Sequence, residues 1–248
     1  MVVKPTVETV ILTVLNDNVG GIIGISRIMT EETKMEKKID MKKITFRNET
    51  PADYRAVENL TREAFWNVYK PGCDEHFILH NFRTRSEFVP ELDIIMEEEG
   101  ILVGHVMFAR AEIKLNNSKT LPIMTFGPIS IAPDFKHKGY GTVLLRYAME
   151  KAKEMDCGAL AITGNIDFYG KSGFVVAKTK GVRYYADPDA DYFLIKELVP
   201  SFLDEVKNCG GGSFKEPDGY FIDSKEAEEF DRHFPIKERL SLPGQIFG

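Results

Sequence analysis

Residues 129–142 have the sequence Ile129-Ser130-Ile131-Ala132-Pro133-Asp134-Phe135-Lys136-His137-Lys138-Gly139-Tyr140-Gly141-Thr142. Its first, apolar residues predict the end of a buried strand, and the glycines predict the start of a helix that continues to Met155. The first N–H groups of a helix have no internal partners and lie at the positive end of the helix dipole. Because Gly139 and Gly141 lack a Cβ atom, the backbone there can approach a phosphate closely. The segment therefore predicts a pyrophosphate-binding bend, to which Lys136, His137 and Lys138 add basic side chains.

Two other phosphate-binding patterns do not fit these glycines. The dinucleotide-binding pattern G-x-G-x-x-G needs a third glycine at position 144, where Leu144 stands. A P-loop that ends in Gly170-Lys171-Ser172 needs a glycine at position 165, where Asn165 stands. An ordinary tight turn with solvated lysines remains the simple alternative to a phosphate site.

The elements predicted on either side of this bend follow the order β-α-β-β-β-α-β-α-β-β. A first strand contains Ile44 and Phe46, and a helix is expected to start at Thr50-Pro51-Ala52-Asp53, where Thr50 can act as the cap. The remaining strands are predicted at 92–96, 101–111, 123–131, 159–163, 173–176 and 191–196, with a brief helix near 168–170. After residue 200 we expect a short strand at 220–222 and a helix from Ser224. This order predicts an α+β fold with a mixed sheet.

Composition excludes several classes of protein. The chain has 248 residues with 32 Lys+Arg against 38 Asp+Glu, a net charge of −6, which argues against nucleic-acid binding. Three widely separated cysteines, Cys73, Cys157 and Cys209, are typical of reduced thiols and not of a disulfide framework. The chain has no uninterrupted apolar run of about 18 residues, so no membrane span is predicted. We expect a soluble, cytoplasmic protein.

The glycine-rich bend resembles motif A of the GNAT superfamily of N-acetyltransferases. That motif is Arg/Gln-x-x-Gly-x-Gly/Ala after a strand; here Gly139 and Gly141 match, and Lys136 replaces the usual Arg or Gln. About 30 residues later, Tyr169 followed by Gly173-Phe174 is similar to the second signature of the family. The two signatures come in the family's order, and the resemblance covers about residues 42–198.

The resemblance implies a particular organisation of the chain. We expect a GNAT-type mixed, mostly antiparallel sheet flanked by helices in residues 41–198. Residues 1–40 would be an N-terminal extension of unknown role, and residues 199–248 a short α/β extension packed on the domain. A homodimer is one of the assemblies left open.

The resemblance also implies the chemistry, which is transfer of an acetyl group from acetyl-CoA to a primary amine by direct attack. Tyr169 would be the catalytic acid that protonates the departing CoA thiolate. The backbone N–H of Ile129 would bond the acetyl carbonyl, and the backbone of Ile131 the pantetheine. The residues expected to bind the cofactor are Ile129, Ser130, Ile131, Lys136, His137, Lys138, Gly139, Tyr140, Gly141, Thr142 and Asn165, of which Asn165 could instead cap a short helix.

The general base and the acceptor are not fixed by the sequence. Thr125 stands where histone-type members carry a glutamate base, which leaves Glu63, Asp93, His105 or a chain of waters as candidates. A Cys73-x-x-His76-x-x-x-His80 fragment offers three zinc ligands without a fourth, so no metal is predicted. The acceptor would be a small-molecule or peptide amine. The alternative function is a catalytically silent protein of the same fold that binds acetyl-CoA as a sensor or scaffold.

Overall fold

The computed structural model describes residues 39–245, so the predicted N-terminal extension lies almost wholly outside the described residues. Within them the strands are β1 (Ile44–Asn48), β2 (Ile94–Glu98), β3 (Ile101–Leu115), β4 (Thr120–Ile131), β5 (Ala159–Thr163), β6 (Val175–Val176), β7 (Val182–Tyr184), β8 (Phe193–Glu197) and β9 (Gly212–Phe214). The α-helices are α1 (Tyr54–Phe65), α2 (Glu75–Phe82), α3 (Tyr140–Glu154), α4 (Ile166–Tyr169), α5 (Asp204–Asn208) and α6 (Ser224–Asp231).

The strands form one mixed sheet in the order β1-β2-β3-β4-β5-β8-β6, with β9 pairing to both β3 and β7. Neighbours on the main path are antiparallel except β4 and β5, which are parallel. This mostly antiparallel sheet flanked by helices confirms the predicted α+β class, and the additional C-terminal elements are present. Among the described residues, none of the helices has the length and apolar character needed to cross a membrane.

Each face of the sheet is covered by helices. On one face, α3 buries Leu144, Leu145 and Ala148 against side chains of β3 and β4 that include Val106 and Ile129. On the other face, α1 and α2 form a second apolar core with β2 and β3; its buried members are Val57, Ile78, Leu79, Phe82, Phe88, Ile95, Met107, Ala109 and Tyr220. The sheet is thus held between two hydrophobic layers, the usual way to bury both faces of such a sheet.

Strands β4 and β5 pair in parallel over a short length and then diverge. The pairing joins only Met124 with Leu160 and Thr125 with Ala161, and the Thr125 hydroxyl donates a 2.9 Å hydrogen bond to the Ala161 carbonyl at that point. Beyond it, residues 126–131 of β4 continue beside β3, whereas β5 continues beside β8. Along 126–131, β4 therefore has one edge with no strand partner among the described residues.

The short elements were the least predictable. The strand predicted at 220–222 is wrong: residues Asp218–Tyr220 form a 3-10 turn in which the Tyr220 N–H bonds the Pro217 carbonyl. Helix α2 and strands β7 and β9 were not predicted. The two strands have three residues each and depend on pairing with distant segments, which no local pattern reveals.

Candidate active site

The bend between β4 and α3 has the geometry of an anion-binding helix start. His137 and Gly139 both adopt left-handed backbone conformations, with φ of 59° and 90°, and Gly139 is the N-cap of α3. The first intrahelical bond runs from the Val143 N–H to the Gly139 carbonyl at 3.1 Å. The preceding N–H groups, up to that of Thr142, lie in the first turn and are therefore available to a ligand.

Gly141 faces a narrow space between two side chains. A Cβ atom added there would lie 3.4 Å from the Phe168 ring and 3.7 Å from Ile131 Cγ1. A single methyl group therefore just fits, whereas a branched side chain must displace its neighbours or extend towards the helix N-terminus. This close packing places the α4 segment directly beside the bend.

The lysines of the bend bond to backbone carbonyls. Lys136 Nζ donates to the Ala64 carbonyl at 2.5 Å, near the C-terminal end of α1, and burial lowers the pKa of this amine. Lys138 Nζ donates to the Asp134 carbonyl at 2.6 Å. The hydrogen bond from Lys136 holds the bend against α1. Because both ammonium groups already bond carbonyls, phosphate oxygens would bind chiefly to the backbone N–H groups.

Strand β4 presents its residues to both faces of the sheet. Ser130 is fully buried on the α1 side and donates to the Thr61 hydroxyl at 3.0 Å, whereas Ile129 belongs to the α3 core. The side chains of Ile129 and Ser130 are thus occupied by packing, and Ile131 packs at the margin of the same core. At 129–131, β4 therefore presents to a ligand the backbone groups along the edge that has no strand partner among the described residues.

Tyr169 lies where β4 and β5 separate. Its fully buried ring contacts Phe126 of β4, Phe168 and Phe174, with centroid distances of 5.8, 4.8 and 5.5 Å. A Cβ at Gly164, just after β5, would lie 2.4 Å from the ring, so only glycine leaves room for it. The structure therefore brings the second sequence signature next to the β4 segment predicted to hold the thioester.

Asn165 has a structural task in this segment. Its side-chain oxygen accepts a 2.8 Å hydrogen bond from the Asp167 N–H and thereby caps α4. Since the oxygen is used by the cap, only the NH₂ group of the amide remains to donate to a cofactor.

Of the proposed bases, His105 and Asp93 form a buried pair. His105 Nε2 lies 2.6 Å from Asp93 Oδ1, and Glu49 belongs to the same cluster, in which Arg83 binds Glu49 at 2.7 Å. Burial lowers the pKa of His105 to about 4 and, with Asp93, raises that of Glu49 to about 7. Arg83 already supplies the cation that balances these carboxylates. The cluster is a closed structural network beneath the sheet.

The glycine-rich bend before α3, the open edge of β4 and Tyr169 lie next to one another. The model of the acetyltransferase (GNAT) family matches residues 54–174, from the start of α1 to Phe174. Residues 54–174 are thus a match to the GNAT family over about half of the chain. An uncharacterized N-acetyltransferase, YjhQ of Escherichia coli strain K12, is 30% identical over 86 residues, which are 34% of this chain and 46% of that protein. The chain thus matches less than half of the length of this curated relative.

Solved structures share the GNAT fold. A GNAT family N-acetyltransferase (YhbS) from Escherichia coli, crystallised with CoA, superposes with a TM-score of 0.62 at 18% identity, over 73% of this chain and 93% of that one. A GNAT family acetyltransferase from Brucella melitensis, crystallised with acetyl-CoA, gives 0.51 at 21% identity, over 63% and 89%.

The Cys73, His76 and His80 side chains do not converge on one point. His80 Nδ1 contacts Glu58 at 2.9 Å, while Cys73 Sγ lies 3.6 Å from His76 Nδ1. His76 Nε2 in turn lies 3.1 Å from Asp231 of α6. The fragment therefore joins α2 to α6 and has no metal-binding geometry. Glu63, another suggested base, is paired with Lys237 at 2.6 Å.

Tyr220, in the C-terminal segment, lies next to the candidate site and was not predicted from the sequence. The Tyr220 hydroxyl donates a 3.0 Å hydrogen bond to the Gly127 carbonyl, in the irregular part of β4 just before Ile129. Burial raises the pKa of this phenol above its ordinary range. No local signal marks Tyr220, because its partner lies 93 residues away along the chain.

Proposed function

We propose that this GNAT protein is an acetyl-CoA-dependent N-acetyltransferase that moves an acetyl group to a primary amine by direct attack. The observation that carries the proposal is the unpaired β4 edge at 126–131, which leads straight into the N-terminal turn of α3. A pantetheine chain can extend such an edge as an added strand, and its pyrophosphate then reaches the helix N-terminus. The two solved structures of the same fold bind CoA and acetyl-CoA, which supports the same cosubstrate here.

Several of the predicted residues would then hold the cofactor. The N–H groups of residues 137–142 would bind the pyrophosphate, and the Ile131 backbone would bond the pantetheine amide. The Ile129 N–H would donate to the acetyl carbonyl and stabilise the oxyanion when that carbon becomes tetrahedral. Asn165 would add a side-chain N–H donor beside the cofactor.

The transfer makes one bond and breaks one. The amine lone pair forms the C–N bond, and the tetrahedral intermediate collapses by breaking the C–S bond, which releases a thiolate. A thiol has a pKa of about 8.5 and a phenol about 10, so a positioned Tyr169 hydroxyl can stabilise or protonate the leaving sulfur. Tyr169 lies in the wall of the opening between β4 and β5, where that sulfur would stand.

Substitution of Gly141 tests the cofactor site. Gly141→Val should weaken acetyl-CoA binding at least about tenfold, since its branched side chain fills the space before the helix N-terminus. Gly141→Ala is the matched control, because its methyl group fits at the distances given above. Titration calorimetry measures both affinities, and thiol release from acetyl-CoA with a panel of amines measures turnover. Unchanged affinity in a folded Gly141→Val protein would contradict the cofactor assignment.

Two observations favour the alternative of a silent acetyl-CoA-binding protein: the ring of Tyr169 is fully buried, and Thr125 cannot act as a base. Such a protein would bind acetyl-CoA with normal affinity and release no thiol with any amine tested. Acetyl-CoA affinity from calorimetry and thiol release with the amine panel therefore distinguish the acetyltransferase from the silent acetyl-CoA-binding protein.

A further inference from the structure

Glu216 is a buried carboxylate without a cationic partner among the described residues. It follows β9 in the C-terminal segment and is 8% exposed, and no lysine, arginine or histidine of residues 39–245 forms an ion pair with it. The neighbouring Lys215 does not neutralise it, because Lys215 Nζ binds Asp218 at 3.0 Å and lies over the Phe221 ring. A buried ionised carboxylate without a cationic partner is costly to keep in a fold. Glu49, by contrast, is paired with Arg83 at 2.7 Å.

Tyrosines surround this carboxylate. Tyr184 of β7 is fully buried, and its hydroxyl lies beside Glu216, where hydrogen bonding from the phenol acts to lower the pKa of the carboxyl. The Tyr184 ring packs against those of Tyr185 and Tyr192, at centroid distances of 5.2 and 6.0 Å. Burial and then the Glu216 charge raise the pKa values of Tyr184, Tyr185 and Tyr220, and the same charge contributes to that of Tyr192, which is about 12. A negative charge among aromatic rings is the environment that suits an organic ammonium group.

Two of these tyrosines connect the cluster to the candidate active site. The Tyr220 hydroxyl bonds the Gly127 carbonyl, next to the β4 residues proposed to hold the thioester. The Tyr192 carbonyl accepts a 2.7 Å hydrogen bond from the N–H of Gly164, the glycine that packs on the Tyr169 ring. Tyr192 also packs beside the apolar residues at the end of α1. Glu216 is therefore framed by residues that contact both walls of the opening between β4 and β5.

We propose that Glu216 binds the ammonium group of the acceptor within this tyrosine cluster and acts as the base that deprotonates it. This inference rests on the acetyltransferase function proposed above and specifies its acceptor as a primary amine that arrives as a cation. One proton passes from the ammonium nitrogen to the Glu216 carboxylate and from there to solvent. The neutral nitrogen attacks the acetyl carbon, and the C–S bond breaks. The second nitrogen proton, released as the intermediate collapses, replaces the one that Tyr169 gives to sulfur.

The pKa of Glu216 suits a general base. Burial raises the pKa of Glu216 to about 7, which places its protonation in the range where a general base works best near neutral pH. The charged and titratable groups that face it are Tyr184, Tyr185, Tyr192, Tyr220 and Lys215. The phenols stay neutral at that pH because their pKa values are raised, so among these facing groups Glu216 is the one that titrates near pH 7.

The first test measures binding without chemistry. Calorimetry at pH 8 uses n-butylammonium chloride as the probe and 1-butanol with sodium chloride as the uncharged control. We expect the full chain and Glu229→Gln, an exposed glutamate on α6, to bind butylammonium equally, and Glu216→Gln to bind it at least about tenfold more weakly. Equal binding by all three proteins, or binding of butanol as tight as that of butylammonium, would overturn the proposal.

The second test measures turnover with an amine that the full chain acetylates. Glu216→Gln should lower kcat/KM for the amine about 10²–10⁴-fold and remove the rise in rate with pH near 7, while acetyl-CoA affinity and the melting temperature are retained. Glu216→Asp keeps the charge and should restore part of the rate, a rescue that a packing role would not give. If acetyl-CoA binds and is turned over but Glu216→Gln matches Glu229→Gln, the Glu216 assignment fails and the acetyltransferase function stands. If acetyl-CoA does not bind the full chain, the acetyltransferase function fails, and the butylammonium titration still decides whether Glu216 binds an ammonium group.

Discussion

Tyr169 is the residue on which catalysis and simple cofactor binding can be told apart. Its ring is part of the aromatic wall formed with Phe126, Phe168 and Phe174, and Gly164 leaves room for its edge. The ring therefore has a packing role whatever its hydroxyl does. A substitution that changes only the hydroxyl isolates the chemical role.

Tyr169→Phe should lower kcat about 10²–10⁴-fold, the usual contribution of a positioned general acid. Acetyl-CoA affinity should change little, because the hydroxyl would contact only a neutral thioester sulfur before the reaction. Pre-steady-state acetyl transfer with any working amine measures the effect, and Phe168→Leu is the control for altered packing of the same wall. Turnover within about threefold of the parent would show that Tyr169 is not the acid and that its role is packing.

Helix α6 is attached to the domain by a buried ion pair. Arg62 of α1 is 1% exposed, and its Nε donates to Asp231 Oδ1 at 2.6 Å. Although burial acts to raise it, hydrogen bonds from His76 and Arg62 hold the pKa of Asp231 below its ordinary value. The carboxylate therefore stabilises the fold at pH values above about 4, its ordinary pKa, and this contribution is lost as the pH falls further.

Asp231→Asn should reduce the free energy of unfolding by about 3–5 kcal/mol at pH 7, because it leaves a buried guanidinium without its counter-charge. Urea denaturation followed by circular dichroism measures the loss. Glu228→Gln, on the exposed side of the same helix, is the control and should stay within about 0.5 kcal/mol of the parent. The difference between the parent and Asp231→Asn should shrink as the pH is lowered below 4; a constant difference would contradict the role of the charge.

Elements with a strong local pattern could be predicted from the sequence, and elements held by distant partners could not. The continuous apolar run at 159–163 gave the bounds of β5, and the glycines gave the start of α3. β3 extends four residues beyond its predicted end, to Leu115, because β9 pairs with residues 113–115. In the candidate site, the bend that starts α3 could be predicted because Gly139 and Gly141 are adjacent in the sequence to the helix they begin. The hydrogen bond from Lys136 to Ala64 and the position of Glu216 could not, because they depend on contacts between segments far apart in the chain.

At the scale of the whole molecule, the C-terminal segment is part of the structure that holds the site. Strand β9 lies between β3 and β7, and Tyr220 is buried in the core shared with α1 and α2. The predicted division places β9 and Tyr220 in the extension at 199–248, and both pack on elements of the domain predicted at 41–198. Near the other boundary, the Ile39 side chain packs at the margin of the α3 core and lies close to Gly139.

Shortened chains test the C-terminal and the N-terminal boundary of the domain separately. A chain that ends at Leu198 loses β9 and Tyr220, exposing apolar surface on β3 and α2, so we expect it to be insoluble or to unfold without a cooperative transition. A chain that starts at Ile39 keeps every contact described for the domain, so we expect it to melt and bind acetyl-CoA like the full chain. A start at Met41 removes Ile39 as well as the Asp40 carboxylate that accepts a 3.1 Å bond from the Lys42 N–H, and should melt a few degrees lower. Calorimetric melting and acetyl-CoA titration of the three chains measure the differences. Full acetyl-CoA affinity in a stable chain that ends at Leu198 would show that the C-terminal segment is dispensable for the cofactor site, and the loss of the ammonium binding assigned to Glu216 could then be measured in that same shortened chain.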